Sequence, residues 1–180
     1  TAENVSSTIS KEMSTNAIKA VAVSVILMLI YIWIRFRNVR FASSAVIALI
    51  HDIAVVAAFY VWARASVGST FIAVMLTILG YSINSTIVIS DRIRENKNLD
   101  KNMDNEIAVN SAVTDTLSRS IYSSLTTLIT VFVLFIMGVP AVKEFALPII
   151  IGLIAGTFSS VCVTGPLWYT MNKKRKTTKN

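Results

Sequence analysis

The chain has 180 residues, is 54% hydrophobic and only 15% charged, and carries a formal net charge of +7. Its mean hydropathy is +0.64, and its charges fall in clusters between long uncharged runs, which excludes an ordinary soluble domain and describes an integral membrane protein. The excess positive charge then reads as a topology signal and an attraction to anionic membrane lipid. It is not spread over a soluble face that a nucleic acid would bind.

In chain order, residues 1–16 are polar and Ser/Thr-rich and read as an extracytoplasmic linker. A spanning helix needs about 20 apolar residues. Five runs meet that need: approximately Ala17–Ile34, Phe41–Trp62, Thr70–Ser90, Thr116–Met137 and Ala146–Tyr169. They mostly lack the polar face of a soluble amphipathic helix. The expected fold is therefore an all-α integral membrane domain of five transmembrane helices over residues 17–172, with a basic cytoplasmic tail at 173–180.

Basic residues set the orientation. Arg35, Arg37 and Arg40 follow the first run, and Arg92, Arg94, Lys97 and Lys101 follow the third. Lys173, Lys174, Arg175, Lys176 and Lys179 follow the fifth. These are twelve of the 17 Lys and Arg residues, against Lys11, Lys19, Arg64 and Lys143 on the other side and Arg119 within a run. The Arg-rich side is expected in the cytoplasm, which leaves the N-terminus outside. The chain begins at Thr1 with no signal peptide, so an earlier span is expected ahead of it.

Polar residues inside the runs are the candidate sites. A charge in hydrocarbon costs about 2.5–3.5 kcal/mol on insertion scales, so each needs a partner, water or a short reach to the surface. Asp52 lies about 11 residues, roughly 17 Å at 1.5 Å per residue, from the start of its span, too far to snorkel. It is either a hydrogen-bonded residue at a helix interface or a group that handles a proton or ion. His51 beside it points about 100° away around the helix, so the two need not pair. Asn84, Ser85 and Thr86 interrupt the third run near its end. Arg119, with Asp115 one turn before it, opens the fourth run among many hydroxyls; the two are spaced for a local ion pair. Gly152 and Gly156 form a small-xxx-small step for close helix packing. Pro148 and Pro166 fit helix boundaries, and Cys162 fits a packing role. No metal-ligand set, phosphate loop or nucleophile triad is present in the sequence, and neither a cofactor nor an enzymatic activity is expected.

Several of these segments resemble the SecF family of bacterial protein-export membrane proteins. Gly80–Asn96, GYSINSTIVISDRIREN, is similar to the family's Gly-Tyr-Ser-Ile/Leu-Asn-Asp-Thr followed by Asp-Arg-Ile-Arg-Glu-Asn, matching Gly80, Tyr81, Asp91, Arg92, Arg94 and Glu95. Tyr31–Phe36, His51–Asp52, Thr116–Leu128 and Lys143–Ser160 resemble further family segments in the same order. The resemblance implies a six-span SecF with an RND-transporter-like membrane half, of which this chain holds spans two to six. It implies partnership with SecD or a SecD half, the SecYEG translocon and a translocating preprotein in the bacterial cytoplasmic membrane. The implied role is late preprotein translocation driven by a proton or sodium gradient.

The resemblance also marks a departure. The family's intramembrane acid after the motif Asn is replaced here by Ser85, which does not titrate near neutral pH. Arg119 matches the family's arginine in the following span. Its counter-charge is then expected from Asp115, from Asp52 or from an acid of the SecD half. An ion relay built on Arg119, Asp52, Ser85, Asn84 and Thr86 competes with a non-motor membrane scaffold and with a broader RND-type transporter.

Overall fold

The computed structural model describes the backbone of residues 2–36 and 38–177 and the side chains of residues 12–13, 15–36 and 38–173. Of the basic residues that argue orientation, Lys11, Arg37, Lys174, Arg175, Lys176 and Lys179 have side chains outside the described residues. The described residues form helices and no strand. In order they are α1 (Ala2–Phe36), α2 (Val39–Trp62), α3 (Ser69–Leu99), α4 (Asn105–Met137), α5 (Pro140–Ser159), a π turn (Ser160–Thr164) and α6 (Gly165–Thr177). Helix α1 begins at Ala2, so residues 2–16 of the polar segment belong to the first helix. Among the described residues, five segments are long and apolar enough to cross a membrane, the fifth running from Pro140 to Lys173 through the π turn. The chain is a multi-pass membrane protein.

Helix α5 sits at the centre, packed against α2, α3 and α4, while α1 lies on α2 and α3. Glycines make that centre possible. A Cβ at Gly152 would collide with the side chain of Ile78 on α3, and one at Gly156 would press on Ser82 Cβ at 3.3 Å. The small-xxx-small step is therefore the seam between α5 and α3. Pro148 lies inside α5, not at its boundary, because the helix already starts at Pro140. The first-turn position suits Pro140, which has no N–H to leave unpaired. Pro166 follows the π turn. It has no N–H for the carbonyl four residues back, and its ring crowds that carbonyl; a wider turn upstream relieves the crowding.

Helices α3 and α4 run past the apolar spans as a helical hairpin. Its turn is closed by the Asp104 side chain accepting from Asn105 N, by Lys97 donating to Met103 O at 2.6 Å, and by Asn96 donating to Ala108 O at 3.3 Å. The apolar core is in two parts. One, near the Arg-rich end, joins Ile32, Phe36, Phe41, Ile89, Ile93, Val109 and Trp168. The other, toward the opposite end, joins Val56, Val74, Met75, Ile78, Ile149 and Leu153. What separates them is polar.

Candidate functional site

The layer between the two cores is built from Asp52 of α2, Ser82 and Thr86 of α3, Ser159 of α5, and Ser160 and Thr164 of the π turn, all buried. Ser82, Thr86 and Ser90 are spaced four apart and so share one face of α3, and all three are buried. Asp52 is 0% exposed. Its Oδ2 accepts from the Ser82 hydroxyl and from the Ser159 hydroxyl at 2.9 Å. Its Oδ1 lies 3.1 Å from His51 Nδ1. The His51 ring swings back along the helix to make this contact, so the two residues pair despite their angular offset. Its side chain is 39% exposed, and its ring lies against Phe158 at 6.3 Å between centroids.

Nearer the Arg-rich end, the Thr86 and Ser160 hydroxyls are 3.2 Å apart, and Ser160 Oγ lies 3.5 Å from the Ser82 carbonyl. Thr164 donates to the Ser159 carbonyl at 3.4 Å across the π turn. Gly156 completes the wall, since a Cβ there would come within 3.6 Å of Asp52 Oδ2. The layer holds its polar groups by mutual hydrogen bonds, as burial away from water requires.

The polar triplet on α3 divides. Thr86 turns into this layer, Ser85 is half-buried and Asn84 is exposed. Gly80, one turn earlier, is open: nothing lies within 4 Å of a Cβ placed on it. Tyr81 donates to Ser124 of α4 at 2.9 Å. That contact and the Arg92–Asp115 contact set the antiparallel register of α3 and α4, and they bring Arg119 level with Ile87 and Val88, less than a turn from Ser85. Arg119 itself is exposed. The two intrachain counter-charges considered for it are engaged elsewhere: Asp115 takes Arg92, and Asp52 takes Ser82, Ser159 and His51. Among the described residues Arg119 has neither an ion pair nor a hydrogen bond.

The rest of the 91–96 segment fastens helices together. Asp91 pairs with Arg35 of α1 at 2.9 Å, and Arg94 reaches the Arg35 carbonyl at 3.3 Å. Arg92 holds Asp115 at 2.7 Å and Glu95 at 2.8 Å. At the same end Arg40 of α2 donates to Asn172 of α6. Cys162 is exposed and lines an apolar groove between α4 and α5 of about 400 Å³ together with Leu117, Ile121 and Phe158. Reading the chain without its fold missed Ser82, Ser159, Ser160 and Thr164 as site residues. The four-residue spacing of Ser82, Thr86 and Ser90 was the available signal.

The comparisons with known proteins agree with this architecture. The family described as protein export membrane protein SecD/SecF, C-terminal, matches residues 1–174. The chain belongs to the SecD/SecF family. The protein translocase subunit SecF of Petrotoga mobilis is 38% identical over 175 residues, covering 97% of this chain and 58% of the relative. The protein translocase subunit SecDF of Thermus thermophilus is 39% identical over 174 residues, covering 97% of this chain and 24% of the relative. A crystal structure of SecDF in a super-membrane-facing form superposes with a TM-score of 0.85 at 39% identity, over 93% of this chain and 23% of that one. This SecD/SecF chain thus spans a little over half of that SecF relative and about a quarter of the SecDF relative.

Proposed function

We propose that this chain is a membrane subunit of the Sec protein-export machinery that acts with a SecD half. In this reading it couples a proton or sodium gradient to motion of external domains as a preprotein leaves the SecYEG translocon. The observation that carries the reading is Arg119. A guanidinium stays charged across the physiological range, and one facing outward from a membrane helix needs a partner. The acids of this chain that lie nearest in sequence or depth are already paired. A carboxylate from the SecD half, packed on the open face of α3 and α4, supplies the counter-charge. The fused SecDF relatives support that pairing. The Arg-rich end faces the cytoplasm of a bacterium, with Ala2 outside.

A second reading is a scaffold without motor activity. The observation in its favour is Ser85, which removes the acid from the motif. Preprotein export into vesicles with an imposed proton or sodium gradient separates the two. Arg119→Ala at matched assembly should abolish the gradient-dependent part of export. An unchanged rate leaves the scaffold.

A further inference from the structure

We propose that Asp52 is a proton-loading site of this membrane domain, loaded and unloaded through His51 and held by the buried hydroxyls of Ser82 on α3 and Ser159 on α5. The proposal rests on the ion-coupling reading above, but it locates the titrating group inside this chain instead of in the partner.

Four observations carry it. First, Asp52 is the one buried carboxyl group among the described residues, and it sits between the two apolar cores. With Ser85 at the motif position, it is the acid of this half on which a transmembrane gradient can act. Second, its surroundings bind a carboxyl group without fixing its charge. Ser82 and Ser159 each have one rotatable O–H and two lone pairs, so they donate to a carboxylate or accept from a carboxylic acid. Among the described residues His51 is the one titratable side chain within hydrogen-bond distance of it. From α3 it meets Ser82, and from α5 Ser159 and the Gly156 position.

Third, the site is close-packed. Two hydroxyls lie directly on Oδ2, and a Cβ added at Gly156 would press on Ser82 Cβ at 3.3 Å. A metal cation needs space among its ligands, whereas a proton occupies none. Fourth, among the described residues the further buried serine and threonine hydroxyls lie on one side of the site, while those of Tyr81, Ser124 and Thr157 bond among themselves at the α4 contact. Thr86, Ser160 and Thr164 lie toward the Arg-rich end, while Val56, Ile78 and Leu153 close the opposite side. Ser159 and Ser160 lie three and four residues after Gly156, on the same helix face, where the π turn begins; such turns recur at functional sites.

The transfer balances as follows. With its proton on Nδ1, His51 donates to Asp52 Oδ1 and leaves Nε2 as an acceptor on the half-exposed flank. A proton arriving at Nε2 makes the imidazolium. The Nδ1 proton then passes to Oδ1, which leaves a neutral histidine protonated on Nε2 and a neutral Asp52. Release reverses this path: the Oδ1 proton returns to His51 Nδ1 as the Nε2 proton leaves from the half-exposed flank, which restores the carboxylate and the neutral Nδ1-protonated ring. Loading replaces a charged acceptor by a neutral donor among α2, α3 and α5, which re-orders the hydrogen bonds that hold these helices at the Gly156 contact.

The test uses the assembled SecD-containing complex in proteoliposomes. Infrared difference spectra between low and high pH should show a deuterium-sensitive carboxylic-acid band that is lost in Asp52→Asn and kept in Arg119→Ala. Asp52→Asn should also lose the proton-gradient-driven increment of export. A wild-type complex with no gradient response under either ion overturns the coupling reading itself. A gradient response that survives intact in Asp52→Asn overturns the proton site alone, as does a response to a sodium gradient without the band. Should Asp52→Asn fail to assemble, Ser159→Ala decides. The band must shift when a hydrogen bond to Oδ2 is removed, and an unshifted band overturns the proposal.

Discussion

Arg92 of α3 grips Asp115 of α4 with two nitrogens, Nε at 3.0 Å and Nη2 at 2.7 Å, both on the same carboxylate oxygen. The same guanidinium holds Glu95 one turn along its own helix. Both side chains of the cross-helix pair are more than a third exposed, so water screens the pair. Arg92→Ala should lower stability in detergent only slightly, as for other exposed ion pairs, and the loss should shrink with added salt. A double-mutant cycle of Arg92→Ala and Asp115→Ala checks this. A coupling energy of zero would mean the pair does not fasten the hairpin.

The glycines make a sharper contrast. Gly152 faces the Ile78 side chain, and Gly80 faces open space. Gly152→Ala should destabilise the domain by about 1–3 kcal/mol, the usual cost of overpacking. Ile78→Val in the same chain should recover part of it. Gly80→Ala meets nothing and should be neutral or stabilising by up to about 1 kcal/mol from helix propensity. Thermal unfolding of the three variants tests the ordering. Equal effects at the two glycines would show that α5 does not press on α3 at Gly152.

These contrasts show what was legible before the fold was known. The spans followed from hydrophobic run length alone, because the membrane imposes that length on any spanning helix. Gly152 and Gly156 were legible as a packing step, but not their partners Ile78 and Ser82, which depend on how two helices are set against each other. The His51–Asp52 contact was hidden for a different reason: side-chain torsions overcome the 100° offset that sequence spacing reports. The polar layer was half visible, in the spacing of Ser82, Thr86 and Ser90. Ser159 and Ser160, three and four residues after Gly156, continue the face of the small-residue step, whereas Thr164 reaches the layer across the π turn, which local sequence does not announce. Pro148 misled because proline inside a membrane helix is tolerated where neighbouring helices satisfy the freed carbonyl.

The proposed orientation gives a direct accessibility test. Asn98 lies on α3 at the Arg-rich end, and Ser66 lies in the loop between α2 and α3 at the other. Single cysteines at these positions, in a Cys162→Ser background, should react with a membrane-impermeant reagent from opposite sides. Ser66→Cys should label in intact cells and Asn98→Cys only after lysis. Labelling of both from outside would contradict the charge asymmetry as the determinant of topology.

Ser85 and Arg119 decide how far the motif's missing acid matters. They lie within a turn of the same depth on neighbouring helices, yet among the described residues no hydrogen bond joins them, and Ser85 is half-buried. A hydroxyl in that position can ligate a cation or relay a proton, but it cannot neutralise a guanidinium. If the counter-charge of Arg119 comes from the SecD half, Ser85 contributes only local polarity. Ser85→Ala should then keep gradient-driven export within about twofold of wild type, the scale of an ordinary peripheral substitution. Arg119→Lys should keep only part of it, because the ammonium lacks the planar fork that holds a carboxylate by two bonds. The measurement is export rate against gradient size for each variant, with proton and sodium gradients imposed separately. A severe loss in Ser85→Ala under sodium alone would make Ser85 a cation ligand and move the coupling ion to this face of α3. A severe loss under protons alone would make its hydroxyl part of the relay.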